Sequence, residues 1–189
     1  MVGNTPNYAR EDVLRCFLLL DQKICRLQLA KYLGLGEGTI RSILSILKQR
    51  NLIDSNTMGH YITQKGKVML NQVNSLMTMQ EVHLTIYPKK HYVALSISAT
   101  EPISLLHRDL AVKAGADGAV IIPVRDGRLD IKEGTLADDF AMNAKEFPLD
   151  ETKIVIVTFA LSQKTAQQAA LLVATNINKE LRRIVEQYF

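Results

Sequence analysis

The stretch from residue 27 to residue 62 constrains this chain more than any other. Two helical runs with apolar periodicity are separated by Gly34-Leu35-Gly36, and two short extended runs follow. In the second helical run Ile40, Ile43, Leu44 and Leu47 fall at i, i+3, i+4 and i+7, so one face is apolar. At about 100° per residue, Gly38, Arg41, Ser42, Ser45 and Gln49 gather on the opposite face. Those side chains are short or hydrogen-bonding, with one cation and no acid. Such a face suits the floor of a DNA major groove: Arg forks onto guanine, Gln onto adenine, and Ser or Gly lets the backbone come close. The pattern predicts helix, tight turn, helix and β-hairpin, with double-stranded DNA as the partner of the exposed face.

Local signals support those boundaries. The first helix of the pair spans residues 26–33, with Leu27, Leu29, Ala30 and Leu33 as its apolar face. Gly34 follows, placed to end it in the left-handed conformation, and Leu35 plugs the corner. Asn51 follows the second helix and tolerates the same conformation. Leu52-Ile53-Asp54 begins a strand, residues 56–59 turn, and His60-Tyr61-Ile62 returns. The alanine in the first helix, the Leu-Gly-Leu turn and the run GTIRSILSILKQRNLI at 38–53 resemble the winged helix-turn-helix transcription regulators. The family usually has Ser or Thr where Gly36 stands and Gly where Asn51 stands. Gly is a weaker cap by only a few tenths of a kcal/mol. The resemblance implies regulation by DNA binding. On this reading Arg41, Ser42, Ser45 and Gln49 read bases, while Lys31, Thr39, Lys48, Arg50 and Lys65 lie on phosphates. The tip of the wing has no Arg or Lys, so its expected contribution is small.

The charge is unevenly spread. Residues 1–79 hold ten Lys and Arg against five acids, whereas residues 80–189 hold thirteen against fourteen. A basic first part beside a neutral second part fits a phosphate-facing domain next to a sensing or oligomerising one. The same excess also fits an ordinary solvated surface. The 189 residues allow one large domain or two small ones. The longest apolar runs, at 16–20 and 153–161, fall far short of the ~20 residues of a membrane helix. The polar start MVGNTPNYARED lacks the apolar core of a signal peptide, so a cytoplasmic location is expected. Cys16 and Cys25 are the only cysteines, and both are expected as buried free thiols in preference to a disulfide or metal pair.

Around this stretch, a first helix is expected over residues 10–20, with Glu11 and Asp12 at its positive end. A fourth helix is expected over 63–77, capped by Thr63, with Val68, Met69, Val73 and Leu76 as its stripe. Residues 77–80 read as a linker. Beyond it the period changes to two. Strands are expected at 82–86 and 91–99, then a helix over 101–114 capped by Thr100, and a strand over 118–124. A hairpin turn follows at Asp126-Gly127, with a return strand at 129–131. Residues 132–151 are irregular, with one short helix over 137–143. The apolar run at 153–161 predicts a central strand, and Ser162 caps a last helix over 163–188. The stripe Ala166, Ala170, Val173, Ile177, Leu181, Ile184 and Tyr188 suits packing on the sheet, a dimer contact, or both. The expected fold is α+β: a winged helix in 1–79, then a second domain in 80–189 with a mostly antiparallel sheet and a long C-terminal helix.

In the second domain the segment HRDLAVKAGADGAVII, residues 107–122, carries the chemistry. Arg108 could fork onto a carboxylate or phosphate, with the amides of Gly115 and Gly118 as further donors to a small anionic metabolite. The alternative is a helix stop followed by the start of a strand. The order helix, glycines, strand excludes the dinucleotide and P-loop fingerprints. The histidines show no HxxxH or HExxH spacing, and no catalytic residue, metal site or cofactor is expected. Over its whole length the chain also resembles an uncharacterised archaeal group in which a winged helix precedes a domain of unknown function. The residues that carry this likeness are Arg108-Asp109, AVKAGADGA at 111–119 and the Asp126-Gly127 hairpin. Together these readings predict a dimeric, ligand-responsive DNA-binding regulator. Two alternatives stay open: an assembly module that docks partners on the winged helix, and an enzyme in the second domain.

Overall fold

The computed structural model describes residues 8–21, 24–57, 59–131, 136, 138–140, 147, 149 and 153–189. The chain is α+β and forms two compact units, Met1–Val73 with Arg183–Phe189, and Asn74–Arg182.

The first unit contains α1 (Arg10–Leu19), α2 (Arg26–Leu33), α3 (Glu37–Gln49), a hairpin of β1 (Ile53–Asn56) and β2 (Gly59–Ile62), and most of α4 (Gln64–Leu76). The apolar stripe of α3 is sealed: Ile40, Ile43 and Leu47 are 0% exposed. Gly34 takes φ 63° and its N–H reaches the carbonyls of Ala30 and Lys31, so α2 ends where the glycine permits. Asn51, at φ 57°, does the same after α3. Thr63 caps α4 by accepting from the Gly66 amide at 3.0 Å and ties back to the Asn51 carbonyl at 2.6 Å.

One expectation about this core needs correction. Leu27 and Val68 are 65% and 62% exposed; Leu29 and Leu33 in α2, and Met69, Leu70 and Val73 in α4, form the buried faces instead. Asp12 lies in the first turn of α1, as expected, where its carboxylate accepts from the Ala9 amide at 3.1 Å. It is buried with Arg15, 2.8 Å away, and Arg15 also donates to the Leu33 carbonyl at 3.3 Å. Burial pulls the Arg15 pKa down, and the Asp12 carboxylate pulls it back up. Cys16 is buried and its thiol is pushed up to about 12 by desolvation, whereas Cys25 is exposed; both are free.

The second unit is a five-stranded sheet in the order β3-β4-β7-β5-β6, with β3 (Met77–Val82), β4 (His91–Ile97), β5 (Gly118–Arg125), β6 (Arg128–Leu129) and β7 (Ile154–Ala160). All neighbours are antiparallel. The expected linker at 77–80 is therefore strand: Met77 pairs with Ile97 and Gln80 with Ala94. β7 lies at the centre, as its apolar run predicts. Asp126 and Gly127 both have positive φ, the geometry an Asp-Gly hairpin turn requires.

Side chains alternate cleanly across this sheet. Val93, Leu95, Ile156 and Thr158 face α6 (Gln163–Ile177), where the Thr158 hydroxyl donates to the Ala166 carbonyl at 2.8 Å. The helix α5 (Leu105–Lys113) packs beside α6. It starts after Ser104, not Thr100. On the other face Tyr92, Ala94, Val155 and Val157 pack with Phe140 and Phe147 from the irregular segment. The short helix expected at 137–143 lies largely outside the described residues, of which 138–140 are helical.

The long C-terminal helix is interrupted once. Asn178 is extended (φ −118°, ψ 114°) and separates α6 from α7 (Lys179–Tyr188). Its side chain caps α7 by accepting from the Leu181 amide at 2.8 Å. The Ile177 carbonyl released by the break accepts from the amides of Thr100 and Glu101, both at 3.0 Å. The last residues belong to the first unit: the Phe189 ring lies 5.4 Å from that of Phe17 and is only 7% exposed.

Two substitutions test this packing. A Cβ on Gly66 would meet the Leu52 carbonyl oxygen at 2.0 Å and Ile62 Cγ2 at 2.7 Å. Ala gains about 1 kcal/mol of helix propensity there, but the clash is with backbone and is expected to win. Gly66→Ala should lower stability by roughly 2 kcal/mol in a urea melt followed by circular dichroism. Phe189→Ala should cost about 3 kcal/mol in the same melt; an unchanged midpoint would mean that the last residue is not part of the core.

Candidate nucleic-acid interface and effector cleft

The exposed side of α3 follows from its buried side. With Ile40, Ile43, Leu44 and Leu47 turned inward, Gly38, Arg41, Ser42, Ser45 and Gln49 are exposed. Ser42 Oγ donates to the Gly38 carbonyl at 3.2 Å, which keeps that hydroxyl close to the helix. Among the described residues Arg41 makes no ion pair or hydrogen bond, so its guanidinium is available to an outside acceptor. Lys31 is exposed on α2 and equally unpaired, and Thr39 is half-buried.

Three of the cations expected on phosphates are used within the first unit. Lys48 lies 3.0 Å from the Asp54 carboxylate and donates to Ser55 Oγ at 3.0 Å, tying α3 to the hairpin. The bond from Lys48 to the Asp54 carboxylate, then that from the Ser55 amide, holds the Asp54 carboxyl below its ordinary pKa. Arg50 donates to the Gln187 carbonyl. Lys65 donates to the Arg50 carbonyl at 2.9 Å and sits 5.5 Å from the centre of the Tyr188 ring. The sequence held no signal for the contacts with Gln187 and Tyr188, because these partners come from the far end of the chain.

A small cleft of about 290 Å³ in the first unit is lined by Ile24, Cys25, Gln28, Asn56, Gly59, His60 and Tyr61. His60 Nδ1 is buried and has no hydrogen-bond partner among the described residues. Burial, then Lys48 and Arg26, holds its pKa below the ordinary 6.5. The folded state therefore binds this proton less readily than the unfolded chain. The stability it contributes is present above about pH 6.5 and is lost as pH falls. The melting temperature should drop between about pH 7 and pH 5, and His60→Gln should flatten that slope. Identical slopes in both proteins would assign the effect elsewhere.

In the second unit a cleft of about 610 Å³ is lined, among the described residues, by Arg108, Asp109, Leu105 and Val112 of α5, residues 117–120 around the start of β5, Ile86, Tyr87, Tyr92, Leu136, Val157 and Phe159. The structure thus brings Arg108 and Gly118 together. Gly115, at φ 93°, is outside this lining and packs by Thr165, ending α5 as a glycine stop does. Arg108 Nε donates to the Ala119 carbonyl at 3.2 Å. Asp139, whose carboxylate gave no clear signal in the sequence, is buried and accepts from the amides of Thr85 at 2.5 Å and Ile86 at 3.1 Å. It thereby positions the loop that carries Tyr87. Among the described residues no three His, Cys, Asp or Glu side chains gather as a metal ion would need, and no helix is long and apolar enough to cross a membrane.

Taken together, the protein is an α+β chain in which a unit of helices with a β-hairpin is joined to an antiparallel sheet with α6 on one face and α5 packed beside α6 and β5. Residues 9–68 match the family model described as PH0730-like, N-terminal domain, and residues 91–177 match the Domain of unknown function (DUF4443). Among solved structures the chain is similar to the archaeal Hypothetical protein PH0730 from Pyrococcus horikoshii OT3, at 27% identity and a TM-score of 0.80 over 97% of this chain and 100% of that one. A comparison with curated proteins finds no match. The order of the two matched domains agrees with the archaeal likeness noted in the sequence.

Proposed function

We propose that the protein is a DNA-binding transcription regulator. Its first unit acts as a winged helix-turn-helix with α3 in the major groove. Its second unit provides effector sensing and dimer formation. The observation that carries the proposal is the division of α3: a fully buried stripe fixes the helix, and Arg41, Ser42, Ser45 and Gln49 stand exposed on its other side. A side chain that reads a base must be held by a rigid element and left unpaired, and Arg41 meets both conditions. Lys31 is the cation best placed for phosphate, since Lys48, Arg50 and Lys65 serve internal contacts. Two copies about a two-fold axis would read half-sites about one helical turn apart. The proposal assigns the protein no reaction of its own and a place in the cytoplasm.

A second reading, docking of a protein partner on the first unit, is favoured by the exposure of Leu27 (65%), Tyr32 (58%) and Tyr61 (43%). Selection from a random-sequence DNA pool at two salt concentrations separates the two. The regulator reading expects a palindromic motif whose affinity falls steeply with salt. Arg41→Ala should lose roughly 1–3 kcal/mol of discrimination at one base position, and Lys31→Ala should lower the salt slope by about one without changing the motif. Uniform weakening across all sequences in Arg41→Ala would remove the base-reading role. The absence of any motif would favour the docking reading.

A further inference from the structure

The larger cleft of the second unit has chemically divided walls. Its floor is aromatic: the Phe159 ring centre lies 5.2 Å from that of Tyr87 and 5.8 Å from that of Tyr92. Its rim is charged: successive residues of α5, Arg108 and Asp109, both border the same space. The Nε bond to Ala119 orients the Arg108 guanidinium, which makes no other hydrogen bond among the described residues. Asp109 has no ion pair among them either. Asp117, by contrast, is already neutralised by Lys90 at 2.9 Å. One fork of donors and one unpaired carboxylate therefore stand beside an apolar floor. A ligand with only a negative charge would satisfy Arg108 and meet repulsion from Asp109, and a cation would meet the converse.

We propose that this cleft binds a free amino acid with an apolar or aromatic side chain. The carboxylate takes the Arg108 fork, the ammonium group turns to Asp109, and the side chain lies on Tyr87 and Phe159. The proposal narrows the effector-sensing role of the second unit to one class of ligand. The floor is set before any ligand arrives. A Cβ on Gly118 would stand 2.6 Å from Phe159 Cζ, so only glycine lets that ring lie across β5. The Tyr92 hydroxyl accepts from the Tyr87 amide at 2.7 Å and lies 3.3 Å from the Tyr87 carbonyl, which fixes the neighbouring wall. A prepared floor reduces the ordering cost that binding must overcome.

The test is calorimetric titration of the full chain, without DNA, by phenylalanine, tyrosine, leucine and methionine. The tightest of the four is then compared with its deaminated and decarboxylated counterparts. One amino acid should bind saturably, and each half-molecule should bind about tenfold or more weakly, as the loss of a charge-assisted contact requires. Arg108→Ala and Asp109→Asn should each weaken binding by a similar factor, with melting curves that match the natural chain. No binding by any of the four, a deaminated acid that binds as tightly as its parent, or either variant binding normally would overturn the proposal. Because the readout omits DNA, failure here leaves base reading by α3 untouched. A failed DNA selection likewise leaves this titration intact.

Discussion

Burial of four side chains on α3 sets most of what matters in the first unit. Ile40, Ile43, Leu44 and Leu47 leave water against α1 and α2, and each such side chain is worth roughly 1.5–3 kcal/mol. The stripe has the helical period, so its burial leaves no rotational freedom to the rest of α3. Arg41, Ser42, Ser45 and Gln49 are exposed as a geometric consequence. The helix cannot roll by one residue without bringing a charge into the core, which would cost more than any single surface contact returns.

The second unit has its own anchor. β7 pairs with β4 on one side and β5 on the other, and its alternating side chains supply both cores at once. Ile156 and Thr158 meet α6, and Val155, Val157 and Phe159 meet the aromatic face. Phe159 ends this series at the cleft, so the strand that stabilises the sheet also supplies the floor of its pocket. The buried Asp139 and the Tyr92 hydroxyl then hold the loop opposite. Stability and shape of the site are set by the same residues.

The candidate site was legible in the sequence to different depths. The face of α3 could be read because it depends only on the period of one helix. Arg108 and Gly118 could be singled out because a glycine pair beside an arginine is a local pattern. The aromatic floor could not: Tyr87, Tyr92 and Phe159 come from separate parts of the chain and meet only because β4 and β7 are neighbours. Nor could the balance of charge at the rim. Asp117 is neutralised by Lys90, 27 positions earlier in the chain, whereas Asp109 makes no ion pair among the described residues.

By itself the sequence determined the features that local backbone energetics decide. Gly34 and Asn51 in the left-handed region, the Asp126-Gly127 turn, the Thr63 and Ser162 caps and the exposed face of α3 all formed as expected. Each involves residues a few positions apart, so the chain has few alternatives. Tertiary structure decided the fate of the charges and of the chain end. Lys48, Arg50 and Lys65 look like phosphate contacts in a linear reading, yet they hold the hairpin and the last turn of α7. Asp12 sits at the positive end of α1 as its position suggests, and folding also pairs it with Arg15 inside the core. A long charged side chain can satisfy itself with any acceptor that comes within reach. Which acceptor that is depends on segments as far apart as Arg50 and Gln187, 137 positions along the chain, and only folding brings them together.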